Sequence, residues 1–267
     1  MSDRDWLRTG IGASDADSIT VMGRDLASEL MGEVTFTELT FLLVQRRMPE
    51  PEETRLLDAV LVSLADHGLT PTVLAARLTH TGAPESIQGA IAAGLLGAGS
   101  VFLGVVEDTA RFLEAILAGA GAGPGSSDAD LRAAAAAAVA ERVAAGRRIP
   151  GLGHPVHKVQ DPRTPRIYEI ARESGRLGPH LRLLQLVSDA HREQTGAALP
   201  INGAGVDGAA LADLGFPPAL LRGLALLART AGLLGHLAEE MEQPLGMPLY
   251  RELDERAAYE PPDSDGS

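Results

Sequence analysis

The chain has 267 residues, 36 acidic against 23 basic for a net charge of −13, and no cysteine. The missing thiols exclude disulfides, thiol nucleophiles and cysteine-ligated zinc or iron–sulfur sites. The acidic balance and the 3% aromatic content argue against nucleic acid, which needs a basic face and stacking platforms.

A hydrophobic share of 45% supplies a core for one large domain or two small ones. The N-terminal Met1-Ser2-Asp3-Arg4-Asp5 carries no apolar signal segment, and the apolar stretch from Ala219 to Ala238 is interrupted by Arg222 and Arg229. The expectation is a cytoplasmic protein with no membrane partner, acting on small anions.

Taken in chain order, the periodicity is helical, with no run of alternating β-branched residues. Thr35-Phe36-Thr37-Glu38 fits a capping box, with Val34 ahead of it as a staple, and opens an apolar helix that must stop before Pro49. A second amphipathic helix runs from Glu52 to Asp66, with Gly68 just past its end. Between Ser86 and Gly99, Gly89, Ala90, Ala92, Ala93, Gly94 and Gly97 recur among larger apolar residues. Glycine costs about 1 kcal/mol against alanine inside a helix, so this density implies close backbone packing, around a site or at a dimer seam. Gly119 to Ser127 is a low-complexity surface loop, followed by an Ala-rich helix from Asp128 to Ala145. Pro217 and Pro218 suit the first turn of a long helix running towards Glu242, on which Arg229 and His236, seven residues apart, face the same way. The tail after Ala258 has the composition of a disordered segment.

One stretch stands apart. Residues 147 to 166 hold Arg147, Arg148, Lys158, Arg163 and Arg166, two histidines, and Asp161 as the one carboxylate. Such a concentration of positive charge in an acidic chain suits an anionic ligand. Gly151 and Gly153 beside His154 indicate an irregular loop that lets a ligand approach the backbone, although a basic Gly-rich loop can equally be a solvated turn. His154-X-X-His157 with Asp161 raises a metal site, but no His-Glu-X-X-His pattern or second cluster accompanies it, and no metal is expected.

Gly151-Leu152-Gly153-His154 through Asp161-Pro162-Arg163 resembles the Gly-X-Gly-His loop ending in Asp-Pro-Arg of the citrate synthase superfamily. That superfamily includes citrate synthases, methylcitrate synthases, citryl-CoA lyases and the C-terminal module of ATP-citrate lyase. Ala65-Asp66-His67-Gly68, Val206-Asp207-Gly208 and the run from Arg229 to His236 resemble further family segments in the same order, as does Ile19 to Pro49. The resemblance covers the chain from about Ile19 to His236.

It implies an all-α, citrate synthase-like fold of two domains: a large one from residues 1–104 and 208–267, and a smaller helical one, 105–207, inserted into it. It also implies homodimers or larger assemblies, closure of the small domain on the large one, and no tightly bound cofactor, coenzyme A entering as part of the substrate. The chemistry is the making or breaking of the carbon–carbon bond between the methyl carbon of acetyl-CoA and the keto carbon of oxaloacetate.

His154 matches the histidine that handles the hydroxyl or carbonyl oxygen, a task suited to imidazole with its unperturbed pKa of about 6.5. Asp207 matches the carboxylate that exchanges a proton with the methyl carbon, whereas by itself Asp207-Gly208-Ala209-Ala210 reads as a helix N-cap. Arg163 and Arg229 match carboxylate clamps, since guanidinium grips carboxylates in a bidentate fork, and Arg229 alternatively reads as a buried ion pair. His67 matches a histidine contacting the dicarboxylate, and its place at a helix C-terminus also suits the helix dipole. His236 reads as a residue that packs or supports a neighbouring site residue. For coenzyme A the candidates are Arg147, Arg148 and Lys158 with the backbone of Gly151, Leu152 and Gly153.

Phe102 stands where citrate synthases carry a histidine that supports the enol, and citryl-CoA lyases resemble this chain in having phenylalanine there. The expected activity is therefore cleavage of citryl-CoA to acetyl-CoA and oxaloacetate, the alternatives being a citrate or methylcitrate synthase and a non-catalytic binding subunit. Pro155 and Leu103 depart from the usual pattern and leave the natural acyl-CoA and keto acid open.

Overall fold

The computed structural model describes residues 7–123 and 125–261. The segment Met1 to Asp5, Pro124 of the low-complexity loop and the end of the tail, 262–267, lie outside them. Among the described residues are eleven α-helices, one π-helical turn and three very short strands, so the expected all-α class holds. The strands, β1 (Gly12–Ser14), β2 (Ile19–Val21) and β3 (Arg24–Asp25), form an antiparallel meander that the sequence pattern did not suggest. At two or three residues each they are too short for alternation to register. Their turns are local: Asp15 Oδ1 accepts from the amides of Asp17 and Ser18, and Met22 and Gly23 both take positive φ, 52° and 78°, as a two-residue hairpin requires.

The chain packs into two compact units, each built from two segments: Met1–Ser63 with Val105–Leu224, and Leu64–Gly104 with Ala225–Ser267. This division by packing differs in its bounds from the expected 1–104 with 208–267 and inserted 105–207.

In the first unit, α1 (Phe36–Gln45) opens on the expected capping box: Thr35 Oγ1 accepts from the Glu38 amide and Glu38 Oε2 accepts from the Thr35 amide. It ends at Arg46, whose left-handed φ of 60° turns the chain towards Pro49. The next helix, α2 (Pro51–Ala65), runs to the unit's end at Ser63 and into the second unit; α5 (Gly104–Gly119), α6 (Asp128–Ala144), α7 (Arg163–Glu173), α8 (Pro179–Thr195) and α9 (Gly203–Asp213) complete the first. α6 takes Ser127 as its N-cap, accepting from the Asp130 amide. The core joins Phe41 and Phe216, edge to face at 5.3 Å, with Leu56, Leu57, Leu113, Leu181, Leu184 and Leu211, all fully buried. Each such leucine contributes roughly 1.5–3 kcal/mol by leaving water.

In the second unit, α3 (Pro71–Gly82) packs on α4 (Ile87–Leu96) and on α11 (Gly246–Arg256). The rest of α10 (Pro218–Glu242), which starts in the first unit at the expected proline, supplies Leu233 and Leu237 to a core with Val73, Ala76 and Ala90. The small residues of α4 have their reason here, since a Cβ on Gly94 would sit 2.8 Å from Leu233 Cδ1. α10 has the length and apolarity of a membrane-crossing helix, and 39% of its most apolar window is buried within the protein.

Candidate active site

The first unit assembles the basic loop, the start of α7 and the start of α9 into one structure. Gly151 and Gly153 both hold φ near +82°, a conformation that favours glycine. The loop is stitched to the strand-like residues before α9: Gly153 N donates to Pro200 O at 2.7 Å, Asn202 N donates to Gly151 O at 2.9 Å, and Leu152 bridges to Ile201. Asn202 completes the seam, its Nδ2 donating to Gly153 O while its Oδ1 accepts from the Gly205 amide as the N-cap of α9.

Asp207 is therefore not an N-cap. It lies a full turn inside α9, wholly buried. Glycines bring the surroundings close: a Cβ on Gly203 would overlap the Arg163 guanidinium, one on Gly208 would overlap the Val106 carbonyl of α5, and one on Gly205 would sit 2.5 Å from Gly151 Cα.

Ser63 Oγ donates to Asp207 Oδ2 at 2.6 Å, while Oδ1 has no hydrogen-bond partner among the described residues. Burial pushes the Asp207 carboxyl up to about 7, against the opposing pull of the Ser63 hydroxyl and the Arg163 charge. Near neutrality such a group is divided between acid and carboxylate, the condition for donating and accepting protons with equal ease.

Asp161 behaves oppositely. Burial works against its charge, but Arg163 Nε and Nη2 donate to it at 3.0 and 2.7 Å, and the amides of Gly203 and Arg163 add two more bonds. Together these hold it at about 2, ionised at any ordinary pH. The pair places Arg163 but also occupies the fork, Nε and Nη2, by which a guanidinium would grip a substrate carboxylate. Nη1 is directed to the Ser63 carbonyl oxygen at 3.4 Å. Both oxygens of Asp161 being committed, the carboxylate of the metal motif weighed above is engaged elsewhere.

His154 is half-buried in the loop, and its Nδ1 accepts from the amides of Val156 (3.1 Å) and His157 (3.0 Å). Neutral imidazole in that setting carries its hydrogen on Nε2, which is then a donor. The His157 ring stacks at 4.5 Å, and Lys158 Nζ donates to the His154 carbonyl at 3.2 Å, which ties this lysine to the loop itself. Arg147 and Arg148 are exposed, and the Arg148 carbonyl accepts from Arg142 Nη1.

The other candidates belong to the second unit. Arg229 is buried on α10, with Nε donating to Leu64 O at 3.2 Å. His67 is exposed just past the end of α2, between Asp66 and Gly68, whose φ of 71° ends the helix. Asp66 accepts from the Gly68 amide and pairs with His236 Nε2 at 2.8 Å; these bonds outweigh its burial and lower its pKa. His236 is thus a structural partner of Asp66. Phe102, 43% exposed, sits in the tight turn whose Phe102, Leu103 and Gly104 amides all donate to Gly99 O.

Two residues of the site were not singled out from sequence. Ser63 gave no local signal, being one hydroxyl on an amphipathic helix 144 positions from its partner. Asn202, just ahead of Gly203-Ala204-Gly205, does have the signature of an N-cap.

Comparison with known proteins identifies this arrangement. The sequence profile of the citrate synthase C-terminal domain matches residues 15–251. The chain belongs to the citrate synthase family. Among solved members of similar fold, citryl-CoA lyase from Hydrogenobacter thermophilus is 29% identical, with a TM-score of 0.84 over 96% of both chains. ATP citrate lyase from Methanothrix soehngenii, solved with citrate and coenzyme A, is 23% identical over 97% of this chain and 42% of its own, with a TM-score of 0.75, and shares the fold. A curated relative, the citrate synthase-like protein oryE of Aspergillus oryzae, is 28% identical over 204 residues. That match takes in 74% of this chain, and the chain spans 42% of the relative's length. The family expected from the four motifs and the kinship with citryl-CoA lyases expected from Phe102 are both borne out.

Proposed function

We propose that this chain is a citryl-CoA lyase, cleaving (S)-citryl-CoA to acetyl-CoA and oxaloacetate. The observation that carries the reading is the end-to-end likeness to the Hydrogenobacter thermophilus enzyme, 96% of each chain at 29% identity. Phe102 supports it, because a phenyl ring can neither hydrogen-bond a thioester oxygen nor position water to hydrolyse it.

Cleavage requires the tertiary hydroxyl to lose its proton as the neighbouring carbon–carbon bond breaks. The bond electrons pass to the thioester enolate, whose carbon then gains a proton. With Nδ1 held by two amides, His154 Nε2–H donates to the oxygen as negative charge collects on it. The Asp207 carboxylate takes the hydroxyl proton and, now neutral, returns it to the enolate carbon, a double duty suited to its pKa of about 7. Arg163, Arg229 and His67 address the substrate carboxylates, Arg163 through Nη1. The backbone of Gly151, Leu152 and Gly153 with Arg147, Arg148 and Lys158 faces coenzyme A.

In this reading no cofactor is held tightly, the part 105–207 closes on the remainder, and the enzyme works as a homodimer or larger assembly in the cytoplasm. The second reading is condensation, favoured by the likeness to a citrate synthase-like protein. Purified protein given citryl-CoA with a malate dehydrogenase coupling separates the two. Oxaloacetate release without free thiol supports the lyase, free CoA thiol from acetyl-CoA and oxaloacetate supports the synthase, and silence in both assays overturns each.

A further inference from the structure

The two oxygens of the Asp207 carboxyl group are unlike: Oδ2 accepts from Ser63 Oγ at 2.6 Å, and Oδ1 is buried with no hydrogen-bond partner among the described residues. Ser63 sits in the last turn of α2, where its Oγ also lies 3.0 Å from the Val60 carbonyl oxygen. A hydroxyl has a single hydrogen, so the two acceptors compete for it, and the ionised carboxylate forms the shorter, stronger bond. The charged groups acting on Asp207 are Arg163 and Asp161, and these are committed to each other in a bidentate pair. On α5, Thr109, which lies against Gly151 of the loop, is uncharged, and among the described residues its buried Oγ1 has no hydrogen-bond partner. Ser63 is thus the hydrogen-bond donor to this carboxyl group.

We infer that Ser63 is a positioning residue for the proton-transfer step: by donating to Oδ2 it pins the carboxyl plane and reserves Oδ1 as the oxygen that gains and gives up the proton. The inference rests on the reading of Asp207 as the acid–base group of a citryl-CoA lyase. Without the hydroxyl the carboxylate loses its donor, so its proton affinity must rise, and the group turns about its Cβ–Cγ bond with both oxygens competing for the proton.

The test is an infrared titration of the Asp207 carboxyl, its band identified by loss in Asp207→Asn, run beside citryl-CoA cleavage. In Ser63→Ala the midpoint is expected to move up by about one unit, a tenfold rise in proton affinity, with kcat falling roughly tenfold at little change in KM. Ser63→Thr, which restores a hydroxyl, should return both towards wild type. If the alanine variant does not fold, Ser63→Cys, similar in size and a poor donor, reads the same shift. A midpoint that stays in place in a folded variant overturns the inference even where cleavage is observed. A midpoint that moves in a protein inactive on citryl-CoA supports the role of Ser63 and sinks the lyase reading instead.

Discussion

At the scale of single residues, the site sets two buried carboxylates against each other. Asp161 has four donors and stays charged, and Asp207 has one donor and sits near neutrality. Desolvation prevails at Asp207, whereas at Asp161 the Arg163 guanidinium and two backbone amides outweigh it. Asp207→Asn should keep the fold and lower kcat for citryl-CoA cleavage by about a thousandfold or more, because an amide cannot exchange the proton; steady-state kinetics beside a melting curve checks both halves. Phe102→His is tolerated sterically at a partly exposed turn. It should introduce release of free CoA thiol from citryl-CoA, detectable with a thiol reagent, and its absence would remove Phe102 as the determinant of cleavage without hydrolysis. Both aspartates were visible in the sequence through their motifs. Their opposite ionisation was not, because it depends on donors as remote as Ser63 and Gly203.

At the scale of elements, α9 is the piece everything else is fitted to. Its glycines let the basic loop, Arg163 and α5 approach the helix backbone, each at a separate position. Two substitutions separate close approach from backbone conformation. Gly205→Ala puts a Cβ 2.5 Å from Gly151 Cα, backbone against backbone, so the loop must move; a loss on the order of 3 kcal/mol with collapse of activity is expected. Gly153→Ala meets nothing within 4 Å and is strained only by its φ of +82°, so about 1 kcal/mol is expected. Urea unfolding of the two variants gives the ranking, and equal losses would contradict it. Five helices, α1, α2, α4, α6 and α10, were read from local chemistry such as the Thr35 capping box, the turn at Gly68 and the proline start of α10; α3, α5, α7, α8, α9 and α11 were not. The meander at 12–25 was not, since strands of two or three residues carry no period.

At the scale of the whole molecule, the same carboxylates make stability depend on pH in opposite senses. Asp161 titrates at about 2 in the folded protein against 3.8 ordinarily. Its contribution is complete above about pH 4 and is lost as pH falls towards 2. Asp207 titrates at about 7 when folded against the same 3.8. Between those values the folded state holds a proton that the unfolded chain has released, so stability falls as pH rises from about 4 to 7 and levels off above. The difference in unfolding free energy between wild type and Asp207→Asn, measured from pH 4 to 8, should therefore drift against wild type with rising pH. A flat difference would mean that Asp207 is not held neutral by the fold.

Five of the helices, the caps at Thr35 and Gly68, and the family were decided by the sequence alone, because capping, glycine conformation and the Gly-X-Gly-His to Asp-Pro-Arg spacing act over a few neighbouring residues. The chemical state of the site was decided only by tertiary structure. Which oxygen of Asp207 has a donor, which arms of Arg163 remain for a substrate and which nitrogen of His154 carries hydrogen are set by groups brought together from separate segments. Hydrogen bonds and desolvation act through space over a few ångströms, and positions such as 63 and 207 become neighbours only when the chain has folded.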